Sequence, residues 1–346
     1  MYKISATERN NEKSADFETR SLFHLLNYHA DSSEIHFFVV DFFNDVSGVD
    51  RYSNRIWDIQ SKGKFVTATL LGNCLITLFK NYVSDFSSNF VSYILYVESI
   101  SSRILIDKTI LNFGIENVKS KEIKKVKQGL LDEAQSRTYI KEYGLSQEVL
   151  ENKINEFLEI VTFVIDSKSK SELIKDAITV DSSIYPSDSY LNNIFKQIRD
   201  IQASKKLTST EGEILVSVYD FLKYSKYINA GQIILLITSR LINMDLTNDN
   251  KVPLSFVPYV RLKDEKEAKD FLEECRNDIY RMIFDKNNVS NYWMFFENVW
   301  KTVKDNLTCD IDALFNKLNM KVYNLVPLDI NSIKFFIALV KDGMRK

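Results

Sequence analysis

The chain has 346 residues, 45% of them hydrophobic and 27% charged, and a formal net charge of -2; this composition excludes a disordered chain, a fibrous repeat and a polycation coating nucleic acid over its whole surface. Nine glycines and four prolines leave little room for linkers, and the length suffices for two domains. Cys74, Cys275 and Cys309 are odd in number and lack CxxC spacing, so neither a disulfide framework nor a thiolate zinc site is expected.

The opening residues lack the apolar segment of a signal peptide. The longest apolar runs, such as AGQIILLIT at 230–238, fall short of the roughly 20 residues that span a bilayer. The expectation is a soluble, cytoplasmic protein without membrane association. From Ala15 to Tyr28 apolar residues recur at helical spacing, with Leu22, Leu25 and Leu26 as the stripe, which predicts a first helix. EIHFFVVDFF, 34–43, is rich in β-branched and aromatic residues and meets the turn-forming NDVSG, so it reads as a strand ending near Asn44. NRIWDIQS reads as the next strand, paired with it in a hairpin. The apolar stretch 67–86 lacks strict alternation and predicts a buried helix, and NFVSYILYV, 89–97, predicts a further strand. Beyond about residue 115 the signals are helical, over 120–135, 146–165, 187–202, 210–228, 264–284 and 331–343. The fold class expected is an α/β N-terminal domain, 1–115, followed by a mainly α-helical domain, 116–346.

Within RIWDIQSKGK, 55–64, strand alternation puts Asp58, Gln60 and Lys62 on one face. Asp41 and Asp45 share a parity just upstream, and a hairpin would bring them alongside. Carboxylates clustered with an amide oxygen form a hard-oxygen set suited to Mg²⁺ or Mn²⁺. A lysine beside it could orient or deprotonate a water and offset charge developing on a phosphate, which together describe a phosphodiester-cleaving centre. Glu18 falls in helical register with Leu22 and Leu25, at the edge of the buried face. A carboxylate there needs a cation, either a metal or a salt bridge to Arg20, Arg51 or Arg55. A solvated amphipathic strand would produce the same alternation of Asp58, Gln60 and Lys62, and a fold that has lost its chemistry is the other rival.

The run FETR at 17–20, the acid of NDVSG and the DIQSK of 58–62 resemble the restriction-endonuclease-like nuclease superfamily, in a branch where the acid-x-lysine motif becomes Gln-x-Lys. Within it they look most like the nuclease domain of bacterial antiphage effectors, such as the DNA endonuclease of cyclic-oligonucleotide defence systems and the nuclease subunit of Lamassu systems. The likeness covers about residues 15 to 100. It implies a restriction-endonuclease-like fold over 1–115 and metal-dependent hydrolysis of double-stranded DNA. Glu18, Asp45 and Gln60 would hold Mg²⁺ or Mn²⁺, Lys62 would be the motif lysine, and Asp58, which the family pattern does not require, is a further catalytic candidate that could join the metal shell. The resemblance further implies an antiviral, abortive-infection effector, kept inactive until partner proteins of a defence complex or homo-oligomerisation release it. The helical part, 116–346, would then serve regulation and assembly. The alternative is a catalytically inactive nuclease-fold subunit acting as a nucleic-acid-binding or scaffold protein.

KSKEIKKVKQ, 119–128, sets Lys119, Lys121, Lys124, Lys125 and Lys127 against a single acid and offers a contact to a phosphate backbone, or simply a solvated helix face. His24, His29 and His36 lack HExxH spacing, Cys74 lies in an apolar helix, and no phosphate-binding glycine loop occurs. The aromatic run NYWMFFENVW, 291–300, reads as core or oligomer contact rather than a base-stacking platform.

Overall fold

A computed structural model describes residues 2–4, 12–207, 209–248, 251–319, 321 and 326–345. The strands are β1 (Tyr2–Lys3), β2 (Ile35–Val40), β3 (Val46–Asp50), β4 (Ile56–Val66), β5 (Phe90–Ile100), β6 (Asn112–Phe113), β7 (Val161–Ile165), β8 (Ile214–Leu215) and β9 (Tyr227–Asn229). The helices of the N-terminal part are α1 (Glu12–Phe23), α2 (Ala68–Cys74), α3 (Ile76–Val83), α4 (Ser120–Ser136), α5 (Thr138–Lys141) and α6 (Gln147–Ile160). Then follow α7 (Lys170–Asp176), α8 (Asp188–Ser204), α9 (Ala230–Leu241), α10 (Val257–Val260), α11 (Glu265–Phe284), α12 (Val289–Asp305), α13 (Ile311–Asn316) and α14 (Ile330–Met344). The coarse expectation of an N-terminal mixed sheet with helices and a mainly helical C-terminal part holds.

The chain divides into two compact units, residues 1–173 with 196–228, and residues 174–195 with 229–346. In the first, seven strands form a mixed sheet of order β6-β7-β5-β4-β3-β2-β9, while β1 and β8 make a separate ribbon. β4 runs parallel to β5, and β5 parallel to β7. A parallel neighbour demands a long crossover, which α4 to α6 supply between β5 and β7. The sheet-bearing unit therefore extends well past the expected boundary at residue 115. The predicted helix over 146–165 ends at Ile160, and its last five residues, VTFVI, become β7, as their β-branched composition favours. The predicted helix over 210–228 is instead β8, a 3₁₀ segment opened by a Ser217–Asp220 capping box, and β9.

Three further differences bear on the site. NDVSG is not only a turn, because Val46 to Asp50 form β3, which lies between β2 and β4. Asp45 consequently stands at the start of β3 rather than at the end of β2, and β4 pairs with β3. The helix predicted over 67–86 is broken at Leu75 into α2 and α3. α2 crosses α4 at two glycines: a Cβ on Gly72 would lie 2.0 Å from the Val126 carbonyl oxygen, and one on Gly129 would lie 2.3 Å from that of Thr69. Only this backbone-to-backbone approach lets both helices cover the sheet together.

The second unit is built from helices around an aromatic core of Tyr292, Trp293, Phe295, Phe296 and Phe336, all buried. Trp300 stacks on Phe296 with ring centroids 5.8 Å apart, so the aromatic run is core. Among the described residues no helix is long and apolar enough to cross a membrane.

Candidate functional site

β4 is the centre of the site because it is the central strand of the sheet. Every residue from Ile56 to Ser61 is buried, including Asp58, at 0% exposure, and Gln60, at 3%. A solvated strand face is thereby overturned. α3 covers the face that Asp58 and Gln60 share, and presents Thr77 and Asn81, one helical turn apart.

Asp58 sits in a complete hydrogen-bonded socket. Ser47 Oγ, from the paired residue of β3, donates to its Oδ1 at 2.7 Å; Asn81 Nδ2 and Asn44 Nδ2 donate to its Oδ2 at 2.6 and 3.2 Å. Tyr2 hydroxyl in turn donates to Asn81 Oδ1 at 2.7 Å. Burial pushes the Asp58 carboxyl up to about 6, against the pull of those three donors.

Gln60 and Asp45 are bonded directly, Gln60 Nε2 donating to Asp45 Oδ2 at 2.6 Å. Past the Val46–Ile59 pair β3 has ended, so the next inward N–H of β4 has no ladder partner. Asp45 Oδ2 caps it, accepting from Ser61 N at 2.7 Å and from Ser61 Oγ at 2.9 Å. Gln60 Oε1 accepts from Thr77 Oγ1 at 2.6 Å. The amide thus shows nitrogen, not oxygen, to the aspartate; the Thr77 hydroxyl, which both donates and accepts, would serve either orientation. Lys62, half-buried, follows two residues on along the same face.

Glu18 comes from α1, which crosses β4 where the Phe17 ring abuts Gly63. Its partner is not one of the arginines expected: Lys206 makes a buried ion pair with Glu18, while Arg20 pairs with Asp166 at 2.9 Å and Arg55 with Asp31 and Glu34. Burial first, and then the neighbouring Asp45, push the Glu18 carboxyl up to about 7, with Lys206 opposing. Asp41, in left-handed backbone at φ 51°, is raised by burial and is held by the fully buried Lys226, whose Nζ lies 3.4 Å from Oδ2 and donates to the Asp41 carbonyl at 3.0 Å. Asp45 thus lies close enough to Glu18 and Asp41 to raise both carboxyls, and two lysines distant in sequence, Lys206 and Lys226, oppose that rise.

These donors suit a hard cation chemically, being carboxylates with one amide oxygen. Among the described residues, however, no three His, Cys, Asp or Glu stand together at metal-binding spacing. The cluster as folded is satisfied by ammonium and amide donors. Sequence reasoning missed Lys206 and Lys226, which lie more than 160 residues away from their acids in the chain. It could have found Thr77 and Asn81, polar residues four apart in an apolar helix.

The lysine run divides. Lys119, Lys121 and Lys125 line an open cleft of about 650 Å³, together with Arg103, Glu122, Thr67, Thr69 and Ser101; Lys124 and Lys127 are not among its lining residues. The cleft sits where β4 and β5 end, at Val66 and Ile100. Of the histidines, His24 is buried, and burial pushes it down to about 4. Cys74, Cys275 and Cys309 are free thiols.

The chain matches no family model, no curated protein and no solved structure.

Proposed function

We propose that the chain is a metal-dependent DNA endonuclease, an effector of a bacterial antiphage defence system, with its centre on β4 and α1. The observation that carries this reading is the cluster of three acids, Glu18, Asp41 and Asp45, beside the Gln60 amide, which lies on the same strand as Lys62. Structural cores avoid such clusters, because each buried carboxylate is costly unless a cation or donors compensate it.

Glu18, Asp45 and the Gln60 side-chain oxygen, the last once its amide turns over against Thr77, would hold Mg²⁺ or Mn²⁺. Such an ion, when bound, supplies Lewis-acid polarisation of the scissile phosphate. Lys62 would orient the attacking water and offset charge developing on the phosphate oxygens. Asp58, saturated by Ser47, Asn44 and Asn81, is a positioning residue that fixes β3, β4 and α3 against one another. The product chemistry is a hydrolysed phosphodiester, water adding at phosphorus and one sugar oxygen leaving.

A nuclease of this kind must be silent at rest. The Lys206 ammonium against Glu18 supports that state: it occupies, as an internal cation, the electrostatic place that a divalent ion would take. Release by a sensor partner or by self-assembly would have to move this lysine. The test is cleavage of plasmid and linear double-stranded DNA with Mg²⁺ or Mn²⁺, alongside Lys62→Ala and an EDTA control. Metal-dependent cutting that the variant loses is expected; no cutting under any assembly condition would remove the enzyme reading.

A second reading, a fold that has kept its architecture and lost its chemistry, is favoured by one observation. Asp45 Oδ2 and both oxygens of Asp58 are already engaged by protein donors. A nucleic-acid-binding or scaffold protein would then show no calorimetric binding of Mn²⁺ that depends on Asp45.

A further inference from the structure

The basic cleft at the ends of β4 and β5 is separate from the acid cluster and has its own chemistry. Four cations, Arg103, Lys119, Lys121 and Lys125, meet one acid, Glu122, in a chain whose net charge is -2. The concentration of positive charge is therefore local, not a reflection of composition. Part of it is committed within the protein: Lys125 Nζ lies 3.0 Å from Glu122 Oε2, and Lys119 Nζ donates to the Arg103 carbonyl at 3.0 Å. Arg103 and Lys121 are exposed, and among the described residues no ion pair engages either.

Hydroxyls complete the wall. Thr67, Thr69 and Ser101 line it, and Thr67 holds the N-cap position of α2 without its side chain capping that helix. Cations that pair with negative oxygens, and hydroxyls that donate to them, are the donor set for phosphate. The volume, about 650 Å³, is that of a ligand site, and open α/β sheets place ligands beyond the carboxyl ends of their parallel strands. The lining contains no aromatic ring, only Ala68 and Ile104 as apolar surface, so it offers bases no aromatic platform. The Gly72–Gly129 crossing fixes α2 and α4, and with them Thr67, Thr69, Lys121 and Lys125, as one rigid wall.

We propose that this cleft is a phosphate-binding site that seats the sugar-phosphate backbone of a bound nucleic-acid strand, without reading its bases. The phosphate chemistry stands on the cleft alone; the assignment of that phosphate to a DNA strand rests on the nuclease reading. Since the cleft begins at Thr67, five residues past Lys62, the strand it holds would lie within about 17 Å of Lys62 at 3.3 Å per residue. That is a reach of a few nucleotides.

The test separates binding from cleavage. A short fluorescent DNA duplex is titrated with the full chain in EDTA, followed by anisotropy over a range of salt. The Arg103→Ala/Lys121→Ala double variant should bind about tenfold more weakly, and its log affinity against log salt should be shallower by about two, one for each phosphate that the variant no longer neutralises. Lys141→Ala, the same kind of charge change at an exposed position outside the cleft, should change neither. Both substituted cleft side chains are exposed, so the melting temperature should hold; Thr67→Val, which keeps shape and charge, provides a second variant with a smaller loss. Unchanged affinity and salt slope in the double variant would overturn the site. Duplex binding in EDTA does not require cleavage, so a protein that never cuts can still pass this test, and the two readings fail separately. Inorganic phosphate, pyrophosphate and a nucleoside triphosphate form the other arm, read by thermal shift. Stabilisation by one of these that the double variant loses, with no duplex bound by the wild type, would overturn the nucleic-acid assignment in favour of a free phosphate ligand.

Discussion

The two ends of β4 handle polarity in opposite ways. From Ile56 to Ser61 the strand is buried, and the acids and amide it gathers are answered by protein groups: Ser47, Asn44 and Asn81 around Asp58, and Gln60 with Ser61 on Asp45. Past Val66 the same strand opens into a cleft where Arg103 and Lys121 face solvent. Buried polar groups left without partners cost about 1–3 kcal/mol each, whereas exposed cations cost almost nothing while they wait. The inner end must therefore be compensated before any ligand arrives, and the outer end need not be. Substitutions should separate the two sharply.

Asp45→Ala should have the largest effect. It removes the acceptor of Gln60 Nε2, Ser61 N and Ser61 Oγ at once, so about 2–3 kcal/mol of stability should go, and on the proposed nuclease reading DNA cleavage should fall about a thousandfold. Arg103→Ala, at the outer end, should stay within about 0.5 kcal/mol of wild type in a urea melt. Equal stabilities for the two variants would break the comparison.

Asp58 gives the next largest effect, and its sign is opposite to that of a surface carboxylate. Its pKa is raised in the folded state, to about 6, so the native protein binds the extra proton first. The associated stability is present below the unfolded value near 4 and is lost as pH rises through 6, up to about 3 kcal/mol for a two-unit shift. Relative to Asp58→Asn, the wild type should lose stability between pH 4 and pH 7 in denaturant titrations. A wild type that instead gains stability over Asp58→Asn as pH rises would contradict a raised Asp58 carboxyl.

Gly129→Ala should cost about 2 kcal/mol, because its methyl would press on the Thr69 carbonyl and force α2 away from α4. Weaker duplex binding in that variant, with Arg103 and Lys121 intact, would show that the helix crossing holds the cleft together.

What could be read from the sequence follows the range of the interactions. β2, β4 and β5 were legible because a β-branched or aromatic run and its alternation are local signals, and so was the shared face of Asp58 and Gln60. β3 was hidden behind NDVSG: Gly48 looks like a turn residue, but its bare Cα lies where a Cβ would come within 2.9 Å of the Ile35 side chain on the neighbouring strand. β7 was absorbed into the preceding helix because IVTFVI, 160–165, apolar but for Thr162, follows it without a turn signal, and period alone does not separate a buried strand from a buried helix. Glu18 could be placed on a buried face, yet its cation could not be named, since three arginines lie nearer in sequence than Lys206. Pairings across more than 160 residues leave no local trace.

Lys206 is where the smallest effect carries the most information. Removing one partner of a buried ion pair ordinarily costs about 3–5 kcal/mol, because the other charge is left stranded. Glu18 is an exception, since burial and Asp45 already hold its carboxyl near neutrality, with a pKa of about 7. Without the ammonium it would take up a proton rather than remain charged, so Lys206→Met should cost only about 1 kcal/mol at pH 7. The same substitution removes the internal cation that, on the proposed function, supports a resting state. Mn²⁺, followed by calorimetry, should then bind about tenfold more tightly than to the wild type, and more tightly at pH 8 than at pH 6, because the metal must displace the proton that Glu18 has gained. If Lys206→Met is severely destabilised and no divalent ion restores it, the lysine is a structural counter-ion and the cluster a core feature. If the metal restores the melting temperature and its affinity rises with pH, Glu18 is a ligand held in reserve.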